Sequence, residues 1–158
     1  MSADEVARAL AAPALWSALC DHAAAWYPRE CCALIVRGPT GPELVLADNL
    51  ADRWHLADPA AFPRDARRAF LLDPRLIAAS ERGGRPLLAV VHSHVDVGAY
   101  FSDEDSAGAT APAGDAPLFP GVAQVVLDAR ADGVRAAATF TWCTERRRFV
   151  RSGAHAPP

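Results

Sequence analysis

The spacing of apolar and polar residues divides the chain into alternating helix-like and strand-like stretches. Ser2 and Glu5 stand at capping-box distance and open a short helix near residues 3–11. Pro13 suits the first turn of a second helix, which runs to Trp26. Leu15, Leu19, Ala23 and Trp26 recur at helical spacing and mark its buried face. Residues 31–36 form a continuous apolar run closed by Arg37-Gly38-Pro39, the pattern of a buried strand. A hairpin partner follows at 43–47. Residues 51–68, mixed and interrupted by Pro59 and Pro63, read as loop, and 69–72 as a strand. Asp73-Pro74 has the chemistry of a helix start, and Gly83-Gly84 stops the helix that ends near residue 80. The most apolar strand spans 87–94. A short helix opens at Ser102, and 107–120 reads as a flexible Ala/Pro/Gly loop. Strands at 122–127 and 134–142 complete the pattern. Helices interspersed irregularly among strands predict an α/β (α+β) fold with a mixed sheet flanked by helices. One domain is expected over 1–150, with a disordered tail over 151–158.

Composition narrows the function classes. A chain of 158 residues, 51% apolar and 22% charged, can bury a real core. Its net charge is −3 and it carries no basic stripe, which argues against nucleic acid as a partner. All 16 basic residues are Arg, a bias fitting an Arg- and Ala-favouring coding composition. No apolar run reaches the ~20 residues of a membrane span, and the N-terminus is acidic rather than basic, so a cytoplasmic protein away from the membrane is expected. Cys20, Cys31, Cys32 and Cys143 show no C-x-x-C spacing and read as reduced core thiols.

The unusual feature is the end of the strand at 87–94. His92 and His94 alternate with Ser93, so both imidazoles point to one face and can share a cation. A carboxylate from the next helix would complete a set of three protein ligands and leave a position open, the layout of catalytic zinc. Asp105 suits that role, although Asp103 and Glu104 stand beside it and spacing alone does not choose among them. Ser102 and Asp105 by themselves have only capping-box spacing.

The combined pattern, H-S-H-x7-S-x-x-D, resembles the JAMM (MPN+) zinc metallopeptidases of the short bacterial type. Upstream, Y-P-R-E-C-C-A-L-I-V-R-G is similar to that family's first motif, and together the similarity covers roughly 13–142. The resemblance implies a cytidine-deaminase-like JAMM/MPN architecture and one Zn2+ per chain held by His92, His94 and Asp105. It makes Glu30 the general acid/base and Ser102 the donor to a tetrahedral oxyanion. The implied substrate is the C-terminal tail of a ubiquitin-like or sulfur-carrier protein. A zinc centre walled by strand and helix backbone passes only slim residues, so cleavage directly after a glycine pair, with little demand on the group beyond, is expected. Rival readings are a metallohydrolase of small peptides or small molecules, a non-catalytic MPN scaffold, and a DNA-associated relative. The chain departs from the family at Val95, where Pro usually follows the second His, and at Ala33, where Gly usually follows the motif Cys.

Overall fold

The computed structural model describes residues 2–157 and contains a six-stranded mixed sheet with five helices among them. Helix α1 spans Ser2–Ala11 and α2 spans Pro13–Trp26, followed by strands β1 (Cys32–Arg37) and β2 (Pro42–Ala47). Helices α3 (Ala51–Ala57) and α4 (Pro74–Arg82) precede β3 (Leu87–Val95). Helix α5 (Asp103–Ala109) leads to β4 (Ala123–Arg130), β5 (Gly133–Cys143) and β6 (Arg148–His155). Strand order is β2-β1-β3-β4-β5-β6, with β3 and β4 parallel and the other pairs antiparallel.

Alternation of side chains across the sheet separates two apolar layers. On one face Val6, Leu10, Trp16, Leu19 and Ala23 from α1 and α2 pack against Ile35, Val91, Val125 and Leu127. This large layer is the main source of hydrophobic stabilisation, at roughly 25 cal/mol per Å² of apolar surface removed from water. Leu15 and Trp26 are only partly buried at its edge. The opposite face carries His92 and His94, with Leu34, Val36 and Val90 packed toward α4 and residues 70–72. Asp73 caps α4 as its position predicts, its side chain accepting from the Arg75 amide at 2.9 Å. The Ser2 side chain lies outside the described residues, and the Glu5 carboxylate pairs with Arg37.

Four expectations need correction. Residues 51–57 form α3, not loop. Only Ala51 of this short helix is buried, so it carries no apolar stripe to read. Residues 69–72 are extended but form no ladder, because their backbone bonds go elsewhere. The Leu71 amide donates to Asn49 Oδ1 at 3.0 Å, and the Ala69 carbonyl accepts from Asn49 Nδ2 at 2.9 Å. The stretch 107–120 is folded, with a bridge between Thr110 and Pro117 and a Leu118 amide bonded to the Ala109 carbonyl at 2.8 Å. Finally, the end of the chain is not a disordered tail from 151: β6 pairs with β5 as far as Ala137 opposite His155. An edge strand needs backbone partners more than apolar side chains, and R-S-G-A-H gave no apolar alternation. The His155 ring also packs edge-on against Trp16, with centroids 4.5 Å apart.

Candidate metal centre

Strand β3 is interior, and its register sets the site. His92 lies opposite Cys32 of β1 and Val126 of β4, and both histidines are buried on the face away from α1 and α2. The loop after β3 turns at Asp96, whose φ of 63° is left-handed. The Asp96 amide donates to the Ala129 carbonyl at 3.0 Å, and its carboxylate accepts from the Tyr27 hydroxyl at 2.9 Å. This turn carries the Gly98 carbonyl to 3.2 Å from His94 Nδ1. A proton on Nδ1 satisfies that contact and leaves a lone pair on Nε2, the arrangement that orients metal-binding histidines.

Asp105 reaches the same point from α5. Its amide donates to Ser102 Oγ at 3.1 Å, and the Ser102 amide donates back to Asp105 Oδ2 at 3.0 Å. The capping box is therefore real, and it is also what aims the carboxylate. Oδ2 lies 3.0 Å from His94 Nε2 and Oδ1 lies 3.2 Å from His92 Nε2, while the two Nε2 atoms are 3.3 Å apart. Adjacent ligand atoms around a tetrahedral cation with bonds of ~2.0–2.1 Å stand ~3.3–3.4 Å apart. Two imidazole lone pairs and a carboxylate at this spacing fit a divalent cation. Among the described residues this is the one cluster of three His, Cys, Asp or Glu side chains able to hold a metal. Spacing left Asp103 and Glu104 open; the structure leaves both exposed and outside the three-donor cluster.

The local electrostatics keep His92 and Asp105 in ligating form. Burial lowers the His92 pKa and favours the neutral ring, which stacks on Phe70 at 4.3 Å between centroids. Its Nδ1 is buried without a hydrogen-bond partner. For His94 burial also acts downward, but the Asp105 carboxylate outweighs it and the net shift is upward. Burial pushes the Asp105 carboxyl up, yet the hydrogen bonds of His92, His94 and the Ser102 amide together hold it well below the usual carboxylate range.

Glu30 enters from the residue before β1. Its amide donates to the Ala66 carbonyl at 2.6 Å, its carbonyl accepts from Asn49 Nδ2 at 2.9 Å, and the next amide, that of Cys31, donates to Ser93 Oγ at 2.8 Å. Ser93, on the opposite side of β3 from the histidines, thus fixes the segment that bears Glu30. The Glu30 side chain is buried, and its carboxyl is pushed up to about 7, chiefly by burial, with His94 lowering and Asp105 raising it. Ser102 accepts from the Asp105 amide and retains its own hydroxyl proton for another acceptor.

The remaining candidates have structural roles. His22 Nε2 lies 3.0 and 3.1 Å from the Cys32 and Ala47 carbonyls, bridging α2 to β1 and β2. Cys32 is buried against the Asp48 carbonyl, and burial pushes its thiol up to about 12. Sequence reasoning missed the Gly98 carbonyl, the Phe70 stack and Tyr100, whose ring stands edge-on to His94 at 4.7 Å. A backbone carbonyl has no residue-type signal, and the two rings sit in segments without clear periodicity.

Comparison with known proteins now decides the family. Prokaryotic homologs of the JAB domain match residues 12–149, nearly the whole chain. The protein belongs to the Prok-JAB family. Its fold is similar to two solution structures. One is of a protein from Desulfitobacterium hafniense, with TM-score 0.58 and 18% identity over 87% of this chain and 84% of that one. The other is of a protein from Salinibacter ruber, with TM-score 0.55 and 23% identity over 92% and 90%. Among curated proteins, none matches significantly. No helix among the described residues is long and apolar enough to cross a membrane. The Prok-JAB assignment and the His-His-Asp cluster are together compatible with a metal-dependent hydrolase.

Proposed function

We propose that this Prok-JAB protein is a zinc-dependent peptidase or isopeptidase that cuts the amide bond after the C-terminal glycines of a ubiquitin-like or sulfur-carrier protein. The observation that carries the reading is the convergence of three donor atoms, with a buried carboxyl, Glu30, close enough to feel the charges of His94 and Asp105. His92, His94 and Asp105 would hold the cation, which supplies Lewis acidity to polarise a carbonyl and lower the pKa of water. Glu30 is suited to take a proton from the attacking water and return it to the departing nitrogen, because burial raises the proton affinity of its carboxyl above that of an ordinary carboxylate. The free hydroxyl proton of Ser102 is available to the developing oxyanion. Gly98 keeps His94 in the required tautomer. A glycine tail suits this cleft because His92 and His94 are flanked by the Phe70 and Tyr100 rings, and glycine lets a backbone approach closely. β3 is covered on both sides by β1 and β4, so such a tail would cross the 95–101 loop rather than extend the sheet.

The test begins with elemental analysis of protein purified without added metal, which should find one zinc per chain, lost in His92→Ala and Asp105→Ala. A carrier protein ending in Gly-Gly and extended by a short peptide should be cut at the junction. Glu30→Gln should keep zinc and fold while losing on the order of 10²–10⁴ in turnover. Zinc bound at full occupancy with no hydrolysis of any glycine-tailed carrier would replace the enzyme reading with a scaffold.

A further inference from the structure

Strand β4 presents one amide to a cavity whose walls are mostly apolar. Gln124 lies opposite Val90 of β3 and Phe140 of β5, so it faces the same side as His92, two residues beyond Val90. A cavity of about 360 Å³ opens there, bounded by Phe70, Leu72, Ile77, Val90, Phe101 and Phe119, and it reaches His92 and Asp105. Gln124 lines this cavity, is only 5% exposed, and makes no side-chain hydrogen bond to another described residue. Its amide is not sealed in the core: its polar atoms open onto the cavity, where a ligand can meet them. The exposed Arg64 and Glu104 add one charge of each sign to the lining.

We propose that this cavity is the leaving-group subsite, and that it accepts an amino acid with a large apolar side chain ending in a hydroxyl, tyrosine being the fitting example. The inference rests on the hydrolase reading above. The glycines next to the cut bond have no side chain to fill a cavity that adjoins His92 and Asp105, so the apolar group is placed just beyond that bond. Gln124 offers both a donor and an acceptor, matching a hydroxyl, which needs both. Arg64 suits the carboxylate of a released C-terminal residue. This replaces the expectation, drawn from sequence, that the group beyond the glycines is of little consequence.

The experiment separates binding from turnover. Metal-free protein, which cannot consume its ligand, is titrated with Gly-Gly-Tyr, Gly-Gly-Leu and Gly-Gly-Gly and followed by NMR shifts. The tyrosine peptide should bind at least about tenfold tighter than the glycine peptide, and its largest side-chain shift should be at Gln124. Gln124→Leu should remove the preference for tyrosine over leucine. Gly108→Leu, on the cavity lining where an added Cβ meets no heavy atom within 4 Å, should weaken both by about tenfold without disturbing the fold. Equal binding of all three peptides, or unchanged binding in Gly108→Leu, overturns the proposal. A parallel assay uses zinc-loaded protein and carriers extended after Gly-Gly by Tyr, Leu or Gly. If binding prefers tyrosine but no carrier is cut, the hydrolase reading fails and the cavity stands as a ligand site. If all three carriers are cut alike and the peptides bind alike, the cavity assignment fails and the hydrolase reading stands.

Discussion

Asn49 offers a sharp test of how the site is assembled, because one buried amide holds three segments together. Its Nδ2 donates to the Glu30 and Ala69 carbonyls, both at 2.9 Å, and its Oδ1 accepts from the Ala51 and Leu71 amides, both at 3.0 Å. Asn49→Ala removes all four bonds. The Glu30 carbonyl and Ala51 amide bonds are buried, and a buried group left unpaired costs ~1–3 kcal/mol. The bonds to Ala69 and Leu71 are only part-buried, so water can replace them at a cost of ~0.5–1 kcal/mol each. The expected loss is about 3–8 kcal/mol, a large share of the ~5–15 kcal/mol that stabilises a domain. At ~2–4 °C per kcal/mol for a chain of this size, Tm should fall by about 6–30 °C. Asn49→Asp keeps the shape but sets a carboxylate oxygen against two carbonyls, so it should be no better. Urea and thermal unfolding of both variants provide the measurement. If both lose under ~1 kcal/mol, the amide is not the hub that fixes Glu30 and residues 69–71, and their placement needs another cause.

Ser102→Ala removes the acceptor that caps α5 and aims Asp105. Stability should fall by ~1 kcal/mol and zinc affinity by ~10–100-fold in a chelator competition, whereas unchanged affinity would leave Ser102 only its hydroxyl proton. Burial pushes the Cys31 and Cys32 thiols up to about 11 and about 12, so iodoacetamide at pH 8 should modify the half-buried Cys143 first. Intact-mass analysis showing Cys32 modified as fast as Cys143 would contradict that environment. Glu30 gives a pH prediction for the metal-free protein, since its folded pKa of about 7 lies above the ordinary 4.5. Its stabilising contribution is fully present below about 4.5 and is lost as pH rises through about 7, a change on the order of 3 kcal/mol. Glu30→Gln should flatten that part of the stability-versus-pH curve, and identical slopes in the two proteins would show that Glu30 is not the buried acid.

What the sequence made legible was whatever repeats with a period or carries a distinctive side chain. Strand β3 was readable because eight of its nine residues are buried, and its two histidines because imidazoles are rare in such a run. Five of the strands lay close to their expected ranges for the same reason. The segments that escaped are those whose backbone is satisfied by side chains instead of ladders. Residues 69–72 look like a strand in composition, yet Asn49 supplies the partners that a neighbouring strand would have supplied. The choice of Asp105 over Asp103 and Glu104 depended on the helix start. Only the third helical position accepts the reciprocal Ser102 bonds, and those bonds turn the carboxylate inward. Gln124 is the informative case. In A-Q-V-V-L the lone amide looks like a minor blemish in an apolar strand, and the resemblance to metallopeptidases drew attention to the metal instead. Its significance follows from register: opposite Val90, one step along the same face from His92, an unpaired amide lies on the wall of the cavity that reaches the candidate metal centre. The same alternation that aims two imidazoles at a cation therefore aims this amide at whatever lies beside it. That is why the cavity is better read as part of the site than as an imperfection of packing.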